Sequence, residues 1–432
     1  MILAMQSGTI GDVSIPVTSN SLFGVTGPSC GGGQTFEIMR TQVAGLAAVA
    51  PIIGWTDLYQ ALCPNDVPKL AYSVGLFAGG FDATNPNYGN VMFDWMGDII
   101  GGTPELTRTG DAEHNIDWRS VVFDPGELTV PAFVIQGWRD ALFPVQQATS
   151  LPFAKLYFGG LGHPPATSTI TGPEGLYLRA QLVRWFDYWL KGIENGITTE
   201  PPVTVAPDNT ANWSAGALVQ SDNFPLAGTT PTTYFFNKNS LAATGGAGSP
   251  RRLSPTTGPT IILNPLRNAL GGSADQLMAA FLLVNNLLNS GGGVLDSSIV
   301  AKSDSAAKGI NFTSTRLASD LTVVGLPEFH LFVSASASNA YYYVQIYERL
   351  PKGSAKLITR GAFKDHAGNF ATPHKIDFPP FAINHIFKAG SAIRVRIASR
   401  DFPFFLPNLK QPKAKIYRDA GHPSQVTLPV VP

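Results

Sequence analysis

The sequence is short of cysteine and of charge, and each shortage removes a class of function. Only Cys30 and Cys63 occur among 432 residues, which excludes a disulfide framework and leaves a single bridge between the two open. Charged residues make up 14%, well below the usual quarter, and 30 basic side chains balance 30 acidic ones. No whole-chain field therefore draws the protein to nucleic acid or an anionic membrane, and no basic run supplies a local one. No stretch of about 18 apolar residues is present, so no membrane-spanning helix is expected. The opening Met1-Ile2-Leu3-Ala4-Met5-Gln6-Ser7 lacks the charged start and long apolar core of a signal peptide, which leaves a cytoplasmic or a secreted location open.

What is abundant is apolar material and glycine. A hydrophobic content of 44% supports real cores, and the length suits two or three domains. The stretch Phe23-Gly24-Val25-Thr26-Gly27-Pro28-Ser29-Cys30-Gly31-Gly32-Gly33 runs an apolar strand end into a glycine-rich turn with one serine at its apex. The G-x-S-x-G spacing, with Gly27 and Gly31 two residues either side of Ser29, reads as a nucleophile elbow. Helix formers at 34–40 and an apolar run at 47–53 supply the required strand, turn, helix, strand order. Two other readings compete. With 44 glycines, a glycine-rich loop of a β protein is one. Cys30 as nucleophile is the other, but it needs a glycine where Pro28 stands, so Ser29 fits better. The Cys30 backbone N–H, at the start of the helix, would face an oxyanion.

Residues 1–22 are short and turn-rich, whereas such a sheet ordinarily has strands and a helix before its nucleophile. An N-terminally short hydrolase domain with an unpaired sheet edge is expected, and with it a homodimer or reduced stability. Residues 58–120 carry apolar and aromatic residues at helical spacing, broken by prolines, and read as an inserted lid. Its Tyr59, Tyr72, Phe77, Phe81, Phe93 and Trp95 would line an acyl pocket or, more commonly for such spacing, a core. The run 130–137 reads as a buried parallel strand ending at Asp140, and 154–162 as another ending at His163. Ligand groups in open α/β sheets gather at the carboxyl ends of strands, so Ser29, Asp140 and His163 can converge there, in the Ser, Asp, His order of α/β hydrolases. His114 falls in the lid, and His330, His366, His374, His385 and His422 fall in a β-rich half, which makes His163 the preferred base. Residues 178–192 form an amphipathic helix stopped by Gly192. Beyond Pro201-Pro202 the text turns Thr-, Ser-, Gly- and Pro-rich, with short β-type runs that argue a sandwich; 274–284 is read as a helical loop excursion.

These residues resemble the CocE/NonD hydrolases, the group of cocaine esterase and the X-prolyl dipeptidyl peptidases. The resemblance covers about 23–408. It rests on the Ser29 elbow (where the family usually has tyrosine at position 30), on Gly137-Trp138-Arg139-Asp140, Gly162-His163 and 184–192, and on Phe312-Thr313-Ser314-Thr315 with Ala398-Ser399-Arg400-Asp401-Phe402-Pro403. It implies an α/β-hydrolase domain over 1–198 with a helical lid at about 56–122, then an all-β jelly-roll domain over 199–432. It further implies a Ser29, Asp140, His163 triad, the Cys30 N–H as one oxyanion donor, and ester or amide cleavage through an acyl-enzyme without metal or cofactor. The family's second donor is a tyrosine hydroxyl from a loop upstream of the elbow, for which no counterpart is found here; Tyr59, Tyr72 and Tyr88 of the lid are the substitutes to consider. The expected partner is a small ester or peptide-like substrate. Release of X-Pro dipeptides, or acylase action on amino-acid esters or β-lactams, is the alternative within enzymes. Either needs acidic residues to hold a free α-amine, with Glu37, Asp82, Asp94 and Asp98 as candidates. An inactive binding protein using the jelly roll is the alternative of another class.

Overall fold

A computed structural model describes residues 22–41, 43–73, 97–99, 101–103, 105, 119–122, 128–149, 153–163, 171–208, 212–246, 248–256 and 307–432, together with two short paired strands, β1 (Thr9–Ile10) and β2 (Val13–Ser14). Much of the expected lid and the 274–284 segment lie outside these residues.

The first sheet is built from β3 (Phe23–Pro28), β4 (Leu46–Ile52), β5 (Phe133–Arg139), β6 (Lys155–Gly162), β7 (Val203–Val205) and β8 (Val219–Ser221), with β3 at one edge and β4 to β6 inside. They lie side by side in chain order, parallel up to β7 and antiparallel at β8. Strands buried on both faces need no polar alternation, which is why 133–137 and 155–161 read as continuous apolar text. Because the strands run parallel, the carboxyl ends of β3, β5 and β6 all open on one rim. The sheet runs on to Ser221, past the expected domain end at 198, because the Pro201-Pro202 turn delivers another strand of the same sheet rather than leaving it.

Helices cover this sheet. Helix α1 (Cys30–Arg40) follows β3 directly and buries Phe36 and Met39. Helix α2 (Leu58–Leu62) is capped by Asp57, whose side chain accepts from the Gln60 N–H. Helix α3 (Pro173–Lys191) starts with proline and stops at Gly192, whose φ of 66° is left-handed, as the sequence predicts. Its Trp185 is buried against Phe133 and donates its indole N–H to the Val49 carbonyl at 3.1 Å.

The remaining strands form two antiparallel sheets. One holds β9 (Thr230–Phe236), β10 (Leu241–Ala242), β11 (Arg251–Leu253), β13 (Leu321–Gly325), β14 (Glu328–Ala335), β17 (His374–Phe378), β18 (Ile383–Phe387), β20 (Ala414–Tyr417) and β21 (Gln425–Val431). The other has the order β12 (Gly309–Thr313), β19 (Ala392–Ala398), β15 (Ala340–Arg349), β16 (Ala355–Asp365). Side chains from both, such as Phe236, Val333, Phe312 and Val344, share one core, which makes this unit a sandwich.

The aromatic strand β15 uses its two faces differently. Tyr342, Val344 and Ile346 enter the sandwich core, while Tyr341 and Tyr343 turn to a second core with Tyr59, Leu70, Tyr72 and Phe143 of the α/β unit. The Ser399-Arg400-Asp401-Phe402-Pro403 stretch seals that contact. Buried Asp401 accepts from Arg360 at 3.1 Å and Gln345 at 2.8 Å, and Phe404 meets Tyr72 edge-on.

Candidate active site

The turn after β3 places Ser29 in a backbone conformation, φ 57° and ψ −120°, that a residue with a side chain rarely adopts. Its N–H donates to the Ile52 carbonyl at 3.1 Å, and its own carbonyl receives the Gly33 N–H at 3.0 Å. Close packing explains the glycines around it. A Cβ on Gly27 would stand 2.9 Å from the Gly31 Cα, and one on Gly33 2.5 Å from the Trp55 ring. Gly31 itself has room: a Cβ there meets only the Pro28 ring, at 3.8 Å. The crowding that fixes this turn falls on Gly27, Gly32 and Gly33, and only the first of these belongs to the five-residue pattern.

From that turn the Ser29 Oγ lies 2.9 Å from the His163 Nε2, and the His163 Nδ1 lies 2.9 Å from the Asp140 Oδ2. The three residues are separated by up to 134 positions in sequence and meet on the rim where their strands end. Asp140 and His163 are both buried. The second carboxylate oxygen of Asp140 accepts the N–H groups of Leu142 at 3.0 Å and Phe143 at 2.8 Å, so both oxygens are occupied. The Phe143 ring stands edge-on to the imidazole, with centroids 5.1 Å apart, and holds its plane. A hydroxyl, an imidazole and a carboxylate in this chain can move a proton from oxygen to nitrogen while the carboxylate fixes the tautomer.

Cys30 opens α1, so its N–H has no acceptor within the helix. Neither cysteine is in a disulfide; Cys30 is exposed and Cys63 buried. Among the substitute donors, Tyr59 gives its hydroxyl to Asp66 at 2.8 Å and Tyr72 packs on Phe404 in the core; Tyr88 lies outside the described residues. Of the acidic candidates, Glu37 is paired with Arg40 at 2.8 Å and Asp98 sits in a short helical turn, while Asp82 and Asp94, like Phe77, Phe81, Phe93, Trp95 and His114, lie outside the described residues. The five other histidines are each bound to a carboxylate of their own: His330 to Asp377, His366 to Asp66, His374 to Asp365, His385 to Glu348 and His422 to Asp419. A cavity of about 340 Å³ between the two units touches Asp140, Arg360 and Phe381 but neither Ser29 nor His163, so it lies behind the acid and is not the place where a reacting carbonyl would sit. Among the described residues no three His, Cys, Asp or Glu side chains converge as a metal site.

One residue at this site has no signal in the sequence. Lys69, within the apolar run Val67-Pro68-Lys69-Leu70-Ala71-Tyr72, is fully buried and reaches the segment just after Asp140. Burial lowers its amine to about 7.

Comparison with known proteins agrees with this architecture. The family described as the X-Pro dipeptidyl-peptidase C-terminal non-catalytic domain matches residues 195–427. A putative serine esterase of Mycobacterium bovis is 24% identical over 58% of this chain, which spans 41% of that relative's length. Cocaine esterase of a Rhodococcus species is 22% identical over 94% of this chain and 80% of its own length. In structure, a CocE/NonD family hydrolase from Staphylococcus aureus superposes with a TM-score of 0.65 at 14% identity, over 95% of this chain and 72% of that one, which shows the shared fold.

Proposed function

Since the chain belongs to the CocE/NonD hydrolases and carries the X-Pro dipeptidyl-peptidase C-terminal domain over 195–427, we propose that it cleaves carboxylic esters through an acyl intermediate on Ser29. The observation that carries this reading is the Ser29 Oγ, held on a left-handed turn 2.9 Å from His163, with Asp140 2.9 Å behind it.

The Ser29 oxygen attacks the ester carbonyl carbon while its proton passes to the His163 Nε2. Asp140 accepts from the Nδ1–H and stabilises the imidazolium. The Cys30 N–H donates to the tetrahedral oxygen, and each such donor is worth about 3 kcal/mol of barrier. The C–O bond to the alcohol breaks as His163 returns the proton, and water repeats the sequence to free the acid. An ester is favoured over an amide because an alcohol leaves more readily than an amine. The chemistry belongs to the α/β unit, and the sandwich, read as a jelly roll, serves as a wall that holds Tyr341, Tyr343 and Phe404 against it.

Labelling with a fluorophosphonate, followed by peptide mapping, tests the proposal. The label is expected on Ser29 and is lost in Ser29→Ala. A label on Cys30 or on another serine overturns it.

A further inference from the structure

A buried cation grips the segment that holds the candidate triad carboxylate. The Lys69 ammonium donates to the Ala141 carbonyl at 2.7 Å and the Leu142 carbonyl at 2.9 Å, and it lies 4.7 Å from the centre of the Phe381 ring. Its acceptors are peptide oxygens, not a carboxylate. The N–H ends of the same two peptide groups, those of Leu142 and Phe143, donate to the Asp140 Oδ1 at 3.0 and 2.8 Å. Each peptide group is thus held at its oxygen by a cation and at its nitrogen by an anion. Opposite charges at the two ends polarise an amide in the direction its dipole already points, and such chains strengthen one another in a low dielectric. Lys69, Asp140 and Phe381 come from the segment after β4, the turn after β5 and the sandwich, so three parts of the chain meet at one nitrogen.

We infer that Lys69 is a positioning residue, which acts on the triad through these two peptide groups and sets how firmly they hold Asp140. Stability does not account for a lysine at this position. Burying an ammonium without a contacting carboxylate costs more than burying an apolar chain of the same length, and replacing such a group is often neutral or stabilising. Asp140 and Cys63 are the titratable groups that act on it, and both raise its affinity for the proton against the larger effect of burial. With the amine at about 7 in the folded state and near 10.5 when unfolded, the folded state binds fewer protons between these values. Wild-type stability therefore gains as pH rises from 7 to 10.5, and Lys69→Met loses that gain while matching or exceeding wild type below pH 7.

The test compares wild type, Lys69→Met and Lys69→Gln, the last of which can donate a hydrogen bond but carries no charge. In wild type the amide proton resonances of Leu142 and Phe143 are expected to show, near pH 7, an inflection that both variants lack, read as the difference between the three pH profiles because His163 also bonds Asp140. Fluorophosphonate labelling of Ser29 is expected to slow about tenfold in both variants, since loss of placement at a triad member acts on the acylation step. Absence of the inflection in wild type, or a Lys69→Gln that behaves as wild type in both measurements, overturns the inference. The catalytic consequence rests on the ester-hydrolase reading. If wild type leaves Ser29 unlabelled, that reading fails, whereas the amide resonances still report whether Lys69 governs the Asp140 turn.

Discussion

Gly32 and Gly54 lie back to back: a methyl on Gly32 would stand 2.9 Å from the Gly54 Cα, and one on Gly54 would stand 2.5 Å from the Gly32 carbonyl carbon. The first turn of α1 therefore rests directly on the chain leaving β4, and the height of Ser29 above the sheet is set by backbone touching backbone. Gly32→Ala or Gly54→Ala should cost about 1–3 kcal/mol, as overpacked sites do, and should slow labelling of Ser29. Gly31→Ala should leave the melting temperature nearly unchanged, because its new methyl meets only Pro28 at 3.8 Å. Equal destabilisation by all three in thermal melts would show that the contact does not set the turn.

Removing the candidate base, His163, should be far more damaging to chemistry than to stability. His163→Ala should slow acylation by about a thousand-fold or more, and Asp140→Asn by a comparable factor because it disturbs the tautomer. Stopped-flow hydrolysis of an activated aryl ester measures both effects. Near wild-type turnover in His163→Ala would mean that another base serves.

A second histidine should report on assembly of the two units. His366 on the sandwich side binds Asp66 at 2.9 Å, beside two residues in left-handed backbone, Asn65 at 51° and Asp66 at 62°. The hydrogen bond to Asp66 raises the His366 imidazole above 6.5. Burial works against the charge on Asp66, but the bonds from His366 and Tyr59 outweigh it and hold that carboxyl below 3.8. The histidine's contribution is present below 6.5 and fades as pH rises through its folded value, while the carboxylate's is present above 3.8 and fades as pH falls. The pair should therefore stabilise most between those two values. Both groups are partly exposed, so the effect should stay below about 1 kcal/mol. Melts of His366→Ala against wild type should differ more at pH 5.5 than at pH 8.5; an equal difference at both would sink the assignment.

The outer edge of β3 pairs with no strand among the described residues, and Leu22 beside it is 52% exposed. An open edge invites another strand, so association of the chain as a homodimer through β3 is expected. Light scattering across a concentration series should show the mass doubling, and Thr26→Lys, at an exposed position of β3, should prevent it. A strictly monomeric chain at its solubility limit contradicts this expectation.

The local parts of this molecule were written in the sequence. The continuous apolar runs at 47–53 and 130–137 announce buried parallel strands, Gly192 announces the end of α3, and the Gly27-to-Gly31 pattern marks the serine turn, because each depends on neighbours within one or two helical turns. The order of Ser29, Asp140 and His163 along the chain, joined to the rule that parallel strands present their ends on one rim, was enough to nominate all three, and in the fold they lie in contacts of 2.9 Å. The sequence pattern did not separate β7 and β8 from the sandwich, because Val203–Val205 and Val219–Ser221 carry no mark of which sheet will accept them; that choice is made by hydrogen bonds to Leu156–Phe158. It also did not reveal Lys69. A lysine in an apolar run looks like any lysine until the chain folds and its ammonium meets Ala141 and Leu142, 72 and 73 residues away, where burial changes its proton affinity. Periodicity and turn chemistry act over a few residues and can be read in order along the chain. Desolvation and the meeting of distant peptide groups exist only once the tertiary structure has closed around them.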